Sequence, residues 1–226
     1  MPRSYGQYDP LAWALDLVGE RWSLLIVRDL LLGPRRFTEL ADRLPGLSRT
    51  LLSARLRKLE AEGLVRRAPA AADGTRRYEA TDGAWALAEA FAPLAVWGAH
   101  RMVRRRPEEI FRAASFALGM AVFADREAAR GVRETYEFDV EGERFHLRVD
   151  DGAIEPREGP AEAADLLVTL DAETCVRIMR GESPAALVAA GAMHGEGSPE
   201  AAARCLAIFK APPVPASARL GERAGA

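Results

Sequence analysis

Apolar residues in the first third of the chain recur at helical spacing. The pattern predicts four helices, over residues 10–18, 22–32, 37–44 and 48–62. Asp9 before a proline and Ser48 before a polar turn are suited to cap the first and the fourth. The second is apolar on almost every side, which predicts a buried central helix. The fourth has a single apolar stripe, formed by Leu51, Leu52, Leu56 and Leu59.

A basic hairpin follows these helices. Residues 64–67 and 77–80 have the composition of short strands, and the loop between them contains Asp73-Gly74. Helices followed by such a hairpin predict a winged helix-turn-helix. A last helix is predicted from Thr81 to residue 101 or beyond. Its apolar residues occupy more than one face, so part of that surface needs a second partner.

Beyond residue 106 the pattern changes to strand-like alternation. A helix predicted over residues 108–123 leads into two runs, 136–140 and 145–149, in which every second residue is apolar. Further elements are predicted as strands over residues 152–155 and 166–170 and as helices over 171–180, 183–190 and 198–210. The whole chain is therefore expected to be α+β, with an antiparallel sheet of four or more strands in its second half.

The distribution of charge adds to this division. The 226 residues carry a formal net charge of −2, yet residues 1–106 hold 18 Lys and Arg against 12 Asp and Glu, whereas residues 107–226 hold 13 against 21. A basic half joined to an acidic half suggests that the first binds a polyanion. Neither a signal peptide nor a membrane span is apparent, which predicts a cytoplasmic protein without a membrane partner. Cys175 and Cys205 match neither a disulfide framework nor a zinc site, and both are expected to be buried.

The fourth helix has the layout that reading of a DNA major groove requires, because one side seats it and the other offers its first turns to base edges. Arg49 is the first choice for a base contact, since arginine binds guanine O6 and N7 with two hydrogen bonds. Arg57 and Lys58 are expected at phosphates. The full set of predicted DNA contacts is Arg36, Ser48, Arg49, Thr50, Ser53, Arg57, Lys58, Arg66, Arg67, Arg76 and Arg77.

Three segments carry a resemblance to a known family, namely ALDLVGERWSLLI at 14–26, GPRRFTEL at 33–40 and LLSARLRKLEAEGLV at 51–65. In them the chain resembles the HxlR family of winged-helix regulators. The resemblance implies binding to inverted repeats of double-stranded DNA by a homodimer built from the first and last helices. The implied interface residues are Trp13, Trp85, Phe91 and Trp97. Some members sense oxidants through a cysteine where this chain has Asp9, so thiol sensing is not expected at that position.

The second half, about residues 134–210, resembles the sterol-carrier-protein-like fold. The resemblance lies in the strand pair of residues 136–149, in ADLLVTL at 164–170 and in IMRGE at 178–182, although GAMH at 191–194 lacks the lysine often seen in that loop. It implies helices packed on a sheet around an apolar cavity for a small, lipid-like effector. The candidate ligand contacts are Phe116, Met120, Phe138, Phe145, Leu147, Val176, Met179, Leu187, Met193 and Phe209.

These predictions divide the chain into a DNA-binding and dimerisation domain (1–106), a ligand-binding domain (107–210) and a disordered tail (211–226). The expected function is a ligand-responsive transcriptional regulator, and the alternative is a lipid carrier with a non-functional winged helix. No catalytic motif is present, so no enzyme activity, metal or cofactor is expected. A pair of His194 and Glu196 is the remaining route to acid-base catalysis, and His194 is otherwise expected in a solvent-exposed loop.

Overall fold

A computed structural model describes residues 4–69, 74–102, 105–106 and 109–214. The chain divides into two compact units, Met1–Glu89 and Ala90–Ala226. This division falls inside a helix, and the domain boundary predicted after residue 106 stays a prediction. Most of the predicted tail, residues 215–226, lies outside the described residues, whereas Pro212 at its start is buried.

The first unit contains the elements of a winged helix-turn-helix. In chain order they are α1 (Pro10–Val18), α2 (Ser23–Leu31), α3 (Phe37–Arg43), α4 (Arg49–Ala61), β1 (Val65–Arg67), β2 (Tyr78–Ala80) and the start of α5 (Asp82–Ala99). Both predicted caps are confirmed. Asp9 accepts a hydrogen bond from the backbone N–H of Ala12 at 2.8 Å, and Ser48 accepts one from that of Leu51 at 3.2 Å. Each cap satisfies an N–H that the first helical turn leaves without a partner.

Leucine fills much of the interior of this unit. α2 is buried along most of its length, as its apolar sequence predicts, and α4 turns three residues inward, Leu52, Leu56 and Leu59. The fourth residue of the predicted stripe, Leu51, is only half-buried. A helix with one buried stripe keeps its remaining surface for solvent or a partner, so the seating of α4 decides which of its side chains are available.

A buried carboxylate lies among these leucines. Asp29 on α2 accepts hydrogen bonds from Nη2 of Arg28 at 2.9 Å and from Nε of Arg43 at 3.4 Å. A buried charge is tolerated when it is paired and hydrogen-bonded. Arg43 is the last residue of α3, so this ion pair fixes α3 against α2.

The wing is short and is anchored to the helical part of the unit. β1 and β2 are antiparallel, with Val65 opposite Ala80. The backbone of Arg35 makes two hydrogen bonds with that of Tyr78, donating to its carbonyl oxygen at 2.9 Å and accepting from its N–H at 2.7 Å. The predicted turn at Asp73 lies outside the described residues.

The second unit is built on a five-stranded sheet. It contains the end of α5 and then α6 (Ala114–Phe123), β3 (Arg133–Val140), β4 (Glu143–Asp150), β5 (Ala153–Glu158), β6 (Leu166–Leu170), α7 (Ala172–Met179), α8 (Pro184–Ala189), β7 (Met193–Gly197) and α9 (Pro199–Ile208). The strand order is β5-β4-β3-β6-β7. Pro156 lies within β5, where an edge strand tolerates it because only one side of the strand must donate to a neighbour.

The sheet is mixed, so the prediction of an antiparallel sheet was wrong. β3 and β6 are parallel, with Phe138 opposite Val168, while the other neighbouring strands are antiparallel. After the hairpins of β3, β4 and β5 the chain returns to the free edge of β3. Asp165 fixes the start of β6 there, because its carboxylate accepts a hydrogen bond from the N–H of Thr135 at 2.8 Å and its own N–H donates to the Thr135 carbonyl oxygen at 2.9 Å.

The fifth strand, β7, was also missed by the sequence reasoning, which placed a loop at residues 191–197. Glycine weakens the strand signal in this segment. At Gly197 it has a packing role, because a Cβ atom there would lie 2.5 Å from the carbonyl oxygen of Asp165. His194 therefore lies in an exposed edge strand, opposite Thr169, and the loop prediction for it was wrong.

One face of this sheet is apolar and faces the helices of the unit. Alternate residues of β3 and β4 are buried, including Tyr136, Phe138, Phe145, Leu147 and Val149. The opposite face carries mainly charged and polar residues, as expected of a sheet covered on one side only. Within the described chain, no helix has the length and apolar character that crossing a membrane requires.

Candidate nucleic-acid interface and apolar cavity

The exposed side of α4 forms a polar stripe at its N-terminal end. Arg49 and Arg57 are exposed and Ser53 is half-buried, and residues four apart lie above one another on a helix. Ser48 and Thr50 are exposed beside them. The placement matches the sequence prediction for this helix, because the three buried leucines lie on the other side.

The arginines of this surface differ in whether a carboxylate neutralises them. Arg49, Arg57, Arg76 and Arg77 are exposed and form no ion pair with any described residue. The wing also contains paired cations: Nε of Arg66 lies 2.6 Å from Glu79, and Nε of Arg67 lies 3.0 Å from Glu60. The four unpaired arginines are the groups best able to meet phosphate without first breaking a contact.

Lys58 is placed differently from the prediction of a phosphate contact. Its Nζ donates a hydrogen bond to the backbone carbonyl oxygen of Asp16 at 2.5 Å and lies 3.7 Å from Oε1 of Glu20. Arg55 pairs with the same glutamate. These contacts tie α4 to the end of α1 and the loop after it, so Lys58 has a structural partner that a phosphate would have to replace.

Arg36 is also engaged within the protein. Its Nε lies 2.8 Å from Oε1 of Glu39, and its backbone N–H donates to Oε2 at 2.7 Å. That backbone hydrogen bond, the guanidinium of Arg36 and the charge of Arg77 hold the pKa of Glu39 below its usual range. Glu39 stays a carboxylate at neutral pH and cancels part of the charge that Arg36 would present to DNA.

The residues predicted for a dimer interface are of two kinds. Trp13 on α1 and Trp97 on α5 are exposed, with 64% and 44% of their surface accessible, and Leu11 and Leu94 on the same helices are exposed as well. Trp85 and Phe91 are half-buried. Large apolar side chains left in contact with water indicate, in each of the two units, a surface that another chain can cover.

The second unit contains an apolar cavity of about 210 Å³. Seven of the ten predicted ligand contacts line it, namely Phe116, Met120, Phe138, Phe145, Met179, Met193 and Phe209. Apolar residues that the prediction did not include are Leu166, Val168, Leu170, Ile178, Pro184, Val188, Ala202 and Leu206. Three of these residues, Leu166, Val168 and Leu170, lie at every second position of β6. This alternation could have identified them from the sequence.

Three predicted ligand contacts do not line the cavity. Leu147 is buried opposite Tyr136, further along β4 than Phe145. Leu187 is buried on α8, which presents Pro184 and Val188 to the cavity instead. Val176 is half-buried on α7, whose cavity side is formed by the residues before and after it at positions 175, 178 and 179. Leu147 and Leu187 are buried, as residues of the interior should be, but their side chains do not point into the cavity as predicted.

Both cysteines are buried and line the cavity, which confirms the prediction of burial. Removal from water raises the pKa of Cys175 to about 12 and that of Cys205 to about 12. The thiols are therefore protonated at neutral pH and serve as small apolar surfaces, since only the thiolate is a strong nucleophile.

Two of the residues that line the cavity are of polar type, His194 and Lys210. Nζ of Lys210 lies 2.7 Å from Oδ2 of Asp125, and this hydrogen bond holds the pKa of that carboxyl below its usual range. Among the described residues there is no group of three or more His, Cys, Asp or Glu side chains that could hold a metal ion.

A capped helix with an unpaired basic side, seated on a leucine core and followed by a short antiparallel hairpin, defines a winged helix-turn-helix. The family model described as HxlR-like helix-turn-helix matches residues 17–106. The Bacillus subtilis HTH-type transcriptional regulator YvaP is 41% identical over 85 residues, which cover 37% of this chain and 79% of YvaP. The chain belongs to the HxlR-like helix-turn-helix family.

Other relatives are similar over the same region. The Mycobacterium tuberculosis HTH-type transcriptional regulator Rv3095 is 46% identical over 86 residues, 38% of this chain and 54% of the relative. The chain thus spans about half the length of this relative. The solved reduced form of the Bacillus subtilis regulator YodB is 31% identical and covers 41% of this chain and 92% of its own, with a TM-score of 0.37.

The second unit is similar to a different group of proteins. The family model described as Alkyl sulfatase C-terminal matches residues 114–214. The solved sec-alkylsulfatase Pisa1 from Pseudomonas sp. is 18% identical, covering 44% of this chain and 16% of the enzyme, with a TM-score of 0.38. The sterol-carrier-like character expected from the sequence stays a prediction.

Proposed function

We propose that the protein is a transcriptional regulator that binds inverted repeats of duplex DNA as a homodimer and responds to a small apolar effector in the cavity of its second unit. The observation that carries DNA binding is the exposed, unpaired Arg49 and Arg57 on a helix capped by Ser48. Family membership supports the class of function. The inverted-repeat operators follow from the family resemblance and from the two-fold symmetry of a homodimer, and the apolar cavity supports the effector.

The geometry suits major-groove recognition because the first turn of α4 carries Arg49 and the wing carries unpaired Arg76 and Arg77. Arginine at the start of a recognition helix reads base edges, whereas arginines of a wing contact phosphates and orient the protein. A second copy supplies the same groups with two-fold symmetry, and the exposed Trp13 and Trp97 are the proposed contacts between copies.

Selection of genomic fragments by the purified protein tests the DNA-binding part. We expect the enriched fragments to share an inverted repeat and Arg49→Ala to lose about 1–3 kcal/mol of discrimination at one base pair of each half-site. Arg130→Ala is a matched control, because it removes an exposed arginine of the second unit that pairs with Glu127 at 2.9 Å. Unchanged base preference in Arg49→Ala would remove this residue from the readout.

The effector part rests on the apolar lining of the cavity. Displacement of the dye anilinonaphthalene sulfonate by dodecanol measures binding there. Ala202→Trp places an indole in the cavity and is expected to abolish binding of both molecules. Ala203→Trp is the control, since Ala203 is the exposed neighbour on α9 and does not line the cavity. Equal loss, or no loss, in the two variants would contradict binding at this site.

A lipid carrier with a non-functional winged helix remains the second candidate, because the cavity alone would serve it. Such a protein would bind dodecanol as described and would show no affinity for duplex DNA at low salt, where non-specific binding is strongest. Retention of any selected fragment at that salt excludes this candidate.

A further inference from the structure

α7 contacts both the cavity and the end of α5. Its residues Cys175, Ile178 and Met179 line the cavity. The next residue, Arg180, turns away to the C-terminal end of α5. Its Nε donates to the carbonyl oxygen of Ala99, the last residue of α5, at 2.9 Å, and its Nη2 donates to that of Met102, just beyond the helix, at 2.6 Å. One short stretch of chain thus joins the cavity lining to the C-terminal end of another helix.

The chemistry of this contact is specific to arginine. The last carbonyl groups of a helix lack intrahelical partners and form the negative end of its dipole, so a cation is favourable there. A guanidinium presents several N–H groups in a fixed plane and can serve two carbonyl oxygens at once, whereas an ammonium acts as a single point charge. Arg180 therefore orders the turn that ends α5.

A second connection lies at the other end of α7. Oε1 of Glu141 accepts a hydrogen bond from the backbone N–H of Ala172, the first residue of α7, at 3.1 Å. Its Oε2 accepts one from Nη1 of Arg105 at 3.3 Å, and Arg105 belongs to the segment after α5. Both ends of the cavity-lining helix are thereby attached to the chain that follows α5.

We infer that Arg180 is a positioning residue through which occupancy of the cavity alters the last turn of α5. The inference rests on the proposed function, because it takes the cavity as the effector site. A ligand shifts a conformational equilibrium only if it binds the two states unequally. Of the elements that line the cavity, α7 is the one that Arg180 directly follows. α5 begins at Asp82, contains Pro93 and ends at Ala99, and its Trp97 is a proposed contact between copies, so a change in the turn after Trp97 is expected to alter the affinity of the dimer for its operator.

Hydrogen exchange in the full-length protein tests this without a ligand. Ala202→Trp stands in for an occupied cavity, and Ala203→Trp is its control. We expect the filled cavity to change the exchange rates of the His100, Arg101 and Met102 amides severalfold, because these amides close the last turn of α5. When Ala202→Trp is combined with Arg180→Ala, the exchange rates of these three amides should change by less than about twofold. Arg177→Ala should keep the response, since Arg177 pairs with Glu182 on its own turn at 2.8 Å.

No response to Ala202→Trp, or a full response in Arg180→Ala, overturns the inference. Operator affinity with and without dodecanol is the second measurement. The parent protein should change its affinity by roughly 5–150-fold, and Arg180→Ala should bind dodecanol and DNA separately as the parent does while the change falls to about twofold or less. Arg180→Lys should keep an intermediate change. If dodecanol fails to bind, the effector part of the proposed function is wrong, and the exchange experiment still decides the role of Arg180.

Discussion

The predicted DNA-binding surface and the polar face of the sheet differ in how their arginines are paired. On α4 and the wing, Arg49, Arg57, Arg76 and Arg77 are exposed and form no ion pair with a described residue. On the polar face of the sheet, Arg133, Arg144 and Arg157 pair with acids, and only Arg148 among the four arginines of the described strands there does not. Surface pairs contribute little to stability, but they cancel charge. The difference leaves a positive surface on the winged helix, which a net charge of −2 for the whole chain conceals.

The interiors of the two units differ as well. Leucines of α2 and α4 fill the first unit, whereas the second contains an apolar cavity lined in part by aromatic residues. Phe138 and Phe145 are stacked with ring centroids 5.0 Å apart, and Phe209 meets Phe138 edge-on at 6.5 Å. A cavity with an apolar lining favours a ligand of the same character, which is the basis of the proposed effector site.

Loss of the buried ion pair of the first unit should have the largest effect on the stability of the protein. Asp29→Asn leaves Arg28 and Arg43 without their carboxylate, and we expect a loss of about 3 kcal/mol in the free energy of unfolding. Arg49→Ala should change it by less than about 0.5 kcal/mol, because an exposed arginine without a partner contributes little to the folded state. Urea denaturation monitored by tryptophan fluorescence measures both. Similar losses in the two variants would show that Arg49 is a structural residue.

Substitutions in the wing should have the next largest effect, which is on the salt dependence of DNA affinity. Replacing Arg76 and Arg77 together by alanine should make the plot of log affinity against log salt shallower by about 2, because each phosphate contact contributes a slope near 0.9. Base preference should be unchanged. Arg66→Ala is the control, since Arg66 already pairs with Glu79 and is expected to reduce the slope less. An unaltered slope in the double variant would place the wing away from DNA.

The smallest expected effect concerns an ion pair of the second unit. Hydrogen bonds from Arg204, and then from Tyr136, hold the pKa of Glu134 below its usual range. A carboxyl with a depressed pKa stabilises the fold above its unfolded pKa of about 4.3 and loses that contribution as the pH falls through its folded pKa. Glu134→Gln should therefore flatten the decline of unfolding free energy below that pH without abolishing it, because Asp171 and Glu182 also have lowered pKa values.

Urea unfolding at a series of acidic pH values measures how steeply the free energy of unfolding falls with pH. Asp150→Asn is the control, because its carboxylate pairs with Arg133, which is 80% exposed at its side chain. A slope in Glu134→Gln identical to that of the parent would contradict the stabilising role of the Glu134 pair.

Local signals determined how much of this structure could be predicted. The caps at Asp9 and Ser48, the buried stripe of α4 and the wing follow from neighbouring residues, so they were predicted correctly. The parallel pairing of β6 with β3 depends on Asp165 meeting Thr135, thirty residues earlier in the chain, and no local pattern encodes it. Long-range partners also explain why the sequence did not indicate the internal contact of Lys58, whose partner is 42 residues away.

The cavity shows the same limit at the level of single side chains. Apolar residues of the second unit could be assigned to its interior, because alternation and helical spacing report which side of an element is buried. They do not report where packing leaves a gap. Leu147 and Leu187 are as buried as Phe145, yet they fill space that adjoins the cavity lining without forming part of it.

We propose that two copies of the winged helix present their unpaired arginines to one face of a duplex. Hydroxyl-radical footprinting of the full-length protein on a selected genomic fragment tests this arrangement. We expect two symmetric protected regions with centres about 34–36 Å apart along the duplex, or a multiple of that distance. We also expect Arg49→Ala to weaken both equally. A single asymmetric footprint, or protection that does not depend on Arg49, would contradict this arrangement.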